Sequence, residues 1–256
     1  MNIESNTVEN TEQSSGMVAK PHVSRRDYLF SNQLSMYGQR EIIGFGSNEF
    51  FIREIAKEKS KEIIIKNHYS KKVCNDATTH IHLGCFIDNE LIGVLQFGYA
   101  MNPQSMDKIV KNTNLDEYKE LNRMWFDDKA GRNTESKAIS YSIKYLRGKY
   151  PKTKWIQSFA DERCGGFGIV YQAANFKYFG EHKNIMWEFE NEIFHNSHIT
   201  NNNRKSKSKL EAKGFHETAK KIELRQFRYI YFINQKCIKD CLLKEQPYPK
   251  HYAVVV

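Results

Sequence analysis

The chain has 256 residues, 40% of them hydrophobic, enough for one domain with extensions or two small ones. Lys and Arg number 39 against 30 Asp and Glu, giving a net charge of +9 and a pI of about 9.1, a balance suited to meeting a polyanion. No apolar run approaches the ~18 residues of a membrane span, and five irregularly spaced cysteines fit reduced thiols in a cytoplasm better than a disulfide framework or a zinc site at Cys237 and Cys241.

Residues 1–24 are polar, acidic and rich in Asn and Ser, and read as a disordered tail rather than a signal or transit peptide. Residues 25–47 carry scattered aromatics (Tyr28, Phe30, Tyr37, Phe45) and read as an irregular N-terminal arm on the main domain. From residue 48 the apolar spacing becomes helical: Phe51, Ile52, Ile55 and Ile63 to Ile65 recur at steps of three and four, up to Asn67-His68-Tyr69-Ser70. Two apolar runs, 80–87 and 91–97, flank Asp88-Asn89 and predict a hairpin. Residues 102–118 form a mixed, partly helical connection. A strand over 121–126, a polar loop over 127–133 and a helix opening at Thr134-Glu135-Ser136 follow. Next come a strand over 155–161, a glycine-laden loop over 164–168 and a short helix ending at Asn175-Phe176. Residues 185–189 predict another strand, 191–224 are polar and basic, and 226–233 have strong β propensity. The order α, ββ, α, β, α, β, α, β, β predicts an α/β (α+β) fold, a mixed twisted sheet with helices on its faces. The main domain is expected over 48–190, with a basic extension and terminal strand over 191–256.

Polar and ionisable residues gather where the predicted strands end, the place where ligands sit in an open α/β sheet. Arg132, Asn133, Thr134 and Ser136 surround a helix start, whose free N–H groups favour an anion; Asn133 or Thr134 would also cap the helix. Arg123 lies inside an apolar strand and needs a carboxylate such as Glu120 or Asp127, a phosphate, or an exposed edge. Asp161 ends its strand before the glycine loop, where it could accept a hydrogen bond from an amine, act as a general base or cap the loop. Gly165-Gly166-x-Gly168 lacks the Lys-Ser/Thr of a phosphate loop and the spacing of a dinucleotide fold. Tyr171 reads as an acid for a leaving group, a stacking platform or a core tyrosine. His80 and His82 share a strand face, and with His68 offer imidazoles to a metal; no carboxylate stands at a telling spacing, so none is assigned. Residues 201–228 hold nine Lys/Arg against three Glu, with Phe215 and Phe227 interleaved. Arg204, Lys205, Lys207, Lys209, Lys213, Arg225 and Arg228 there are the expected contacts to a phosphate backbone.

Tyr171-x-x-x-Asn175-Phe176, after a strand and a glycine loop, resembles the Tyr-x-x-x-Gly-Phe ending of the GNAT acetyltransferase fold. Three blocks resemble the phage Mom family, enzymes that carbamoylmethylate adenine N6 in DNA. They are His68-Tyr69-Ser70 with His82-Leu83-Gly84, Glu120 to Phe126 with Asn133 to Ser136, and Ser158 to Asp161 through Tyr171. Arg228 to Phe232 looks like that family's late strand, so the resemblance spans about residues 60 to 235. It implies double-stranded DNA as partner, a flipped-out adenine as target, and protection of phage or prophage DNA from restriction. It also implies roles: Asp161 toward the amine, Tyr171 as acid or platform, Arg123, Asn133, Thr134 and Ser136 toward the donor, and His68, Tyr69, Ser70 and His82 as pocket wall. Catalysis would fall to Asp161, Tyr171, Arg123 and Ser136. An acetyl-CoA-like donor is implied by the fold only, since the loop before Ser136 lacks the usual Gln/Arg-x-x-Gly-x-Gly/Ala signature. Iron on His68 and His82 stays open as a cofactor.

Two other readings compete. An ordinary N-acetyltransferase acting on a small amine or protein would need no DNA and no role for residues 201–228. A non-enzymatic DNA-binding module would leave Asp161 and Tyr171 dispensable. An S-adenosylmethionine-dependent methyltransferase is disfavoured, because the chain has neither an Asp/Asn-Pro-Pro-Tyr/Phe block nor a glycine-rich cofactor loop.

Overall fold

A computed structural model describes residues 26–71, 75–164, 166–200 and 205–250. The tail expected over 1–24, Gly165 of the glycine run and Arg204 lie outside them. Ten strands form one mixed sheet: β1 (Asp27–Leu34), β2 (Arg40–Gly46), β3 (Phe50–Glu54), β4 (Thr79–Ile87), β5 (Glu90–Gly98), β6 (Tyr118–Phe126), β7 (Trp155–Asp161), β8 (Lys177–Phe189), β9 (Glu192–His195) and β10 (Lys220–Phe232). Their spatial order is β1-β2-β3-β4-β5-β6-β7-β10-β8-β9. Neighbours run antiparallel except β6 and β7, which are parallel and joined by helix α2 (Thr134–Lys149). The other helices are α1 (Lys57–Asn67), α3 (Ile169–Ala173), α4 (Ser197–Thr200), α5 (Lys205–Glu211) and α6 (Phe215–Thr218).

The two-residue period of the strands divides the faces. His82 and Gln96, paired across β4 and β5, turn to Ser60 of α1. Leu83 and Leu95 turn the other way, into the core with Ala138, Ile139 and Leu146 of α2. Helix α1 therefore covers one face and α2, with α3, the other. A second core beside the α1 face joins Tyr118, Trp155, Ile230 and Phe232 to Met106 of the 3₁₀ turn Pro103–Lys108. The tight turn between β4 and β5 places Asp88 at φ 47° and Asn89 at φ 67°, the left-handed pair that a two-residue hairpin requires.

Three elements differ from the sequence pattern. The helical spacing from residue 48 conceals a strand: Phe50, Phe51 and Ile52 are all buried because β3 lies between β2 and β4, and the helix starts only at Lys57. A strand covered on both faces reads as a continuous apolar run, which periodicity alone does not separate from a helix. The arm expected as irregular is the β1–β2 hairpin. Its Tyr28 and Phe45 rings meet at 5.5 Å, and Phe45 packs edge-on against Tyr141 of α2 at 5.3 Å. The late strands are longer than their apolar runs. Over 220–225, β10 pairs with β8 and no longer with β7, and with β9 on the far side of β8 these strands make an arm beyond the main sheet. At its far end Phe189, Leu210 and Phe215 form a small third core under β9 and α4 to α6. The sheet is continuous across residues 47/48 and 190/191.

Candidate active site

Strands β6 and β7 pair over only three positions: Tyr118 with Trp155, Lys119 with Ile156, and Glu120 with Gln157. Beyond them β6 stays on β5 and β7 stays on β10, so the two parallel strands part. The hydroxyl of Ser158 donates to the Leu121 carbonyl at 3.2 Å where the parting starts. Backbone groups beyond that point face a wedge instead of a neighbouring strand, and the side chains lining it come from the two strands richest in expected site residues.

Glu120 stands at the apex. Its Oε2 accepts from Gln157 Nε2 at 2.6 Å and its Oε1 from Asn122 Nδ2 at 3.2 Å. The residue as a whole is half-buried, but its carboxyl is enclosed. Burial pushes its pKa up to about 7, against hydrogen bonds from Gln157 and Asn122 and the charges of Arg228 and Arg123. A carboxylate poised near neutrality suits proton transfer. Sequence reasoning placed Glu120 only as a partner for Arg123. The available signal was a polar residue at the same level in each of two apolar parallel strands, Glu120 and Gln157.

Along the same face lies a second cluster. Asp161 is buried and held by Arg163: Nε reaches Oδ1 and Oδ2 at 3.1 Å, Nη2 reaches Oδ2 at 2.6 Å, and the Arg163 backbone N–H donates to Oδ1 at 3.0 Å. Tyr69 donates to Oδ2 at 3.3 Å. Burial disfavours the charge on Asp161, yet the Arg163 hydrogen bonds and charge hold the carboxyl below its usual range. Both oxygens are engaged and the group stays ionised, so Asp161 anchors Tyr69 and Arg163. Arg163, unassigned from the sequence, supplies the neutralising charge. The Arg163 guanidinium lies 5.0 Å from the Tyr69 ring centroid, and that ring packs against His68 at 4.2 Å while half exposed. His68 Nδ1 meets Ser70 Oγ at 2.9 Å and accepts the Ser70 backbone N–H at 3.2 Å. Burial, then the charges of Arg123 and Arg163, lower His68 to about 4, so its ring is neutral at physiological pH. Burial, then the Asp161 charge, also raises the Tyr69 hydroxyl far above its usual range.

Tyr171 lies on the α2 face, enclosed, with its ring 5.4 Å from that of Tyr229. It shares a hydrogen bond with Ser158, and burial pushes its hydroxyl up to about 12, so it remains protonated. Gly168, at φ +77°, caps α3, and a Cβ there would run into the Tyr229 ring.

The start of α2 is a separate locality. Asn133 takes the left-handed conformation at φ 66°, and the hydroxyls of Thr134 and Ser136 donate to the Gly131 and Asn133 carbonyls at 2.6 and 3.0 Å. Both hydroxyls thus serve the turn. A cleft of about 490 Å³ opens beside them, lined by Arg132, Lys137, Glu49, Asp88 and Phe50. Lys137 Nζ sits 3.9 Å from the Phe50 ring centroid. Arg132, Lys137 and the helix start favour an anionic group there, and Glu49 and Asp88 among the lining residues oppose one. Arg123 belongs elsewhere: it donates to its neighbour's carbonyl, Asn122 O, at 2.7 Å, and its charge acts on His68, Tyr69 and Glu120. Arg123 and Ser136, expected on one donor, therefore have different neighbours.

His82 is not in the cluster either. It lies under α1, with Nδ1 3.1 Å from Ser60 Oγ, which also accepts Gln96 Nε2 at 2.8 Å. His68 and His82 thus sit in different surroundings, and among the described residues no group of three or more His, Cys, Asp or Glu could hold a metal ion. The donor set does not fit an iron centre.

Of the expected phosphate contacts, Arg225 ties the arm to the loop after β7. It donates to Glu162 at 2.8 Å through Nη2 and meets Glu181 at 3.5 Å. Arg228 is half-buried, donates to Gln157 Oε1 at 2.7 Å and lies 4.6 Å over the Phe159 ring. Lys207 lies 3.9 Å from Glu211, and Lys213 pairs with Glu190 at 2.5 Å. Lys209 and Lys213 line a cavity of about 270 Å³ over Phe189 and Leu210. Lys205 opens α5, and Lys220 and Lys221 are exposed at the start of β10. No helix among the described residues is long and apolar enough to cross a membrane.

The sequence model of the Mom protein family matches residues 49–250. The methylcarbamoylase mom of Escherichia phage Mu is 41% identical over 213 residues, which cover 82% of this chain and 88% of that protein. Among solved structures, Arabidopsis thaliana NAA60 in complex with acetyl-CoA is similar at a TM-score of 0.46 and 11% identity, covering 72% of this chain and 99% of that one. The ribosomal-protein-S5-alanine acetyltransferase from Vibrio fischeri is similar at 0.45 and 10%, covering 76% and 98%.

Proposed function

Because the chain belongs to the Mom protein family, we propose that it is a DNA-modifying transferase that places a carbamoylmethyl group on adenine N6 and so protects phage or prophage DNA from restriction. The observation that carries this reading is the enclosed Glu120 carboxyl at the apex of the β6–β7 wedge. Adenine N6 is a poor nucleophile, because its lone pair is delocalised into the ring. As the N6–CH₂ bond forms and the bond to the leaving group breaks, N6 must lose a proton. Glu120, with a pKa of about 7, takes it. The electron pair of the broken bond goes with the leaving group, and the Tyr171 hydroxyl is a candidate to protonate it.

In a duplex the target base must first leave the stack. The half-exposed Tyr69 ring, held by Asp161 and backed by His68 and Arg163, offers it a stacking surface. Arg132, Lys137 and the start of α2 would hold an anionic part of the donor, which when bound supplies the carbamoylmethyl group. Lys209, Lys213, Lys220 and Lys221, on the arm and its terminal lobe, are the phosphate contacts best supported by exposure.

The test is mass spectrometry of nucleosides from DNA of cells expressing the chain. An adenosine derivative heavier by a carbamoylmethyl group, absent with Glu120→Gln, is expected. Unmodified nucleosides at good expression would move the assignment to an N-acetyltransferase or a DNA-binding module.

A further inference from the structure

We propose that Arg228 is a positioning residue: through the Gln157 amide it fixes the hydrogen bond that Glu120 receives, and so sets the pH at which the enzyme works. This rests on Glu120 as proton acceptor. Arg228 Nη1 donates to Gln157 Oε1 at 2.7 Å, and Gln157 Nε2 donates to Glu120 Oε2 at 2.6 Å. An amide has one accepting and one donating end. With its oxygen held by the guanidinium, Gln157 can present only its N–H₂ to the carboxylate. Without Arg228 the amide is free to turn over and present oxygen to oxygen. Gln157 is almost fully buried, so water does not readily take over either bond. The guanidinium is itself oriented by its stack on Phe159 at 4.6 Å. Donation to the carbonyl also polarises the amide and strengthens its N–H as a donor.

The groups around Glu120 come from several elements: Tyr118, Asn122 and Arg123 on β6, Gln157 on β7, Arg228 on β10, and Tyr171 on α3. Gln157 and Asn122 donate hydrogen bonds, and the two arginines favour the ionised form, against burial. Loss of Arg228 removes one charge and loosens one of the two hydrogen bonds. Arg228 had also been expected to contact phosphate; its burial and its partner in the wedge argue for the inward role.

The test is the pH profile of single-turnover modification on saturating duplex DNA for the wild type, Arg228→Gln and Arg228→Lys. For Arg228→Gln the acid limb should move up by about one pH unit, a loss of roughly five-fold at pH 7 that is nearly recovered at pH 9. DNA affinity and its salt dependence should not change. Arg228→Lys should fall between the two. An unmoved acid limb would overturn the proposal. If affinity also drops and the salt slope falls by about one, Arg228 is a phosphate contact instead. A ¹³C titration of the Glu120 carboxyl reads the same coupling without turnover. A midpoint raised in Arg228→Gln while Glu120→Gln keeps its activity would sustain the coupling and reject Glu120 as proton acceptor. An unchanged midpoint would reject the coupling itself. Should Arg228→Gln not fold, Arg228→Lys carries the titration.

Discussion

Replacing Glu120 with Gln should abolish modification and yet raise the protein's relative stability as pH climbs to neutrality. Burial lifts the Glu120 pKa from an ordinary 4.5 to about 7. The folded state thus binds this proton more tightly than the unfolded chain does. The stability this contributes is fully present below about pH 4.5 and is lost as pH rises through 7. A difference of roughly 2.5 units corresponds to about 3 kcal/mol. Gln keeps the shape and never ionises, but its one carbonyl oxygen can accept from Gln157 or from Asn122 and not from both. Whatever that lost bond costs is the same at every pH, so the stability of Glu120→Gln relative to the wild type should rise by up to about 3 kcal/mol between pH 4 and pH 7. Urea unfolding at several pH values measures the gap directly, because the other titrating groups cancel in the difference. Modification by the variant should fall at least ~100-fold, the usual weight of a general base. A gap that does not grow with pH would refute the enclosed, neutral-range carboxyl.

Asp161→Ala should cost about 2 to 4 kcal/mol, because Arg163 keeps a half-buried charge without its partner, and it should also eliminate modification while DNA binding persists; full activity would remove Asp161 from the site. His68 should stay neutral down to about pH 5, with an NMR titration midpoint of about 4, since burial, Arg123 and Arg163 all oppose its protonation. Its depressed pKa contributes stability that is present above pH 6.5 and lost as pH falls through 4, and a midpoint near 6.5 would show an open, uncharged surrounding. Lys220→Ala with Lys221→Ala should weaken duplex binding and reduce the log–log salt slope by roughly one for each phosphate no longer neutralised, about two together. An unchanged slope would move the DNA surface off the start of β10.

The β4–β5 hairpin, α2, β7 and α3 follow from local chemistry: a left-handed Asp-Asn turn, a helix start after Asn133, and apolar runs bounded by polar loops. Strand β3 was hidden because burial on both faces removes the alternation that marks a strand. The start of β10 was hidden for the opposite reason, since its Lys220, Lys221 and Glu223 are exposed and a strand solvated on one face needs few apolar residues. Arg225 and Arg228 sit in the same basic stretch as Lys220 and Lys221, but only a folded β10 turns the two arginines onto Glu162 and Gln157 and leaves the lysines outside.

By itself the sequence determined the strand–helix succession from β4 to α3, the basic charge and the cluster of polar residues at strand ends, because each depends on residues close together in the chain. Which of those polar residues share a site depended on strand order. Parallel pairing of β6 with β7 brings Glu120 to Gln157, and the insertion of β10 beside β7 brings Arg228 to the same amide. The pairing that ends after three positions also opens the wedge. Register, burial and the pKa of Glu120 are properties of those long-range neighbours, so only the tertiary structure could enclose a strand glutamate against Gln157 and hold Asp161 on Arg163 and Tyr69.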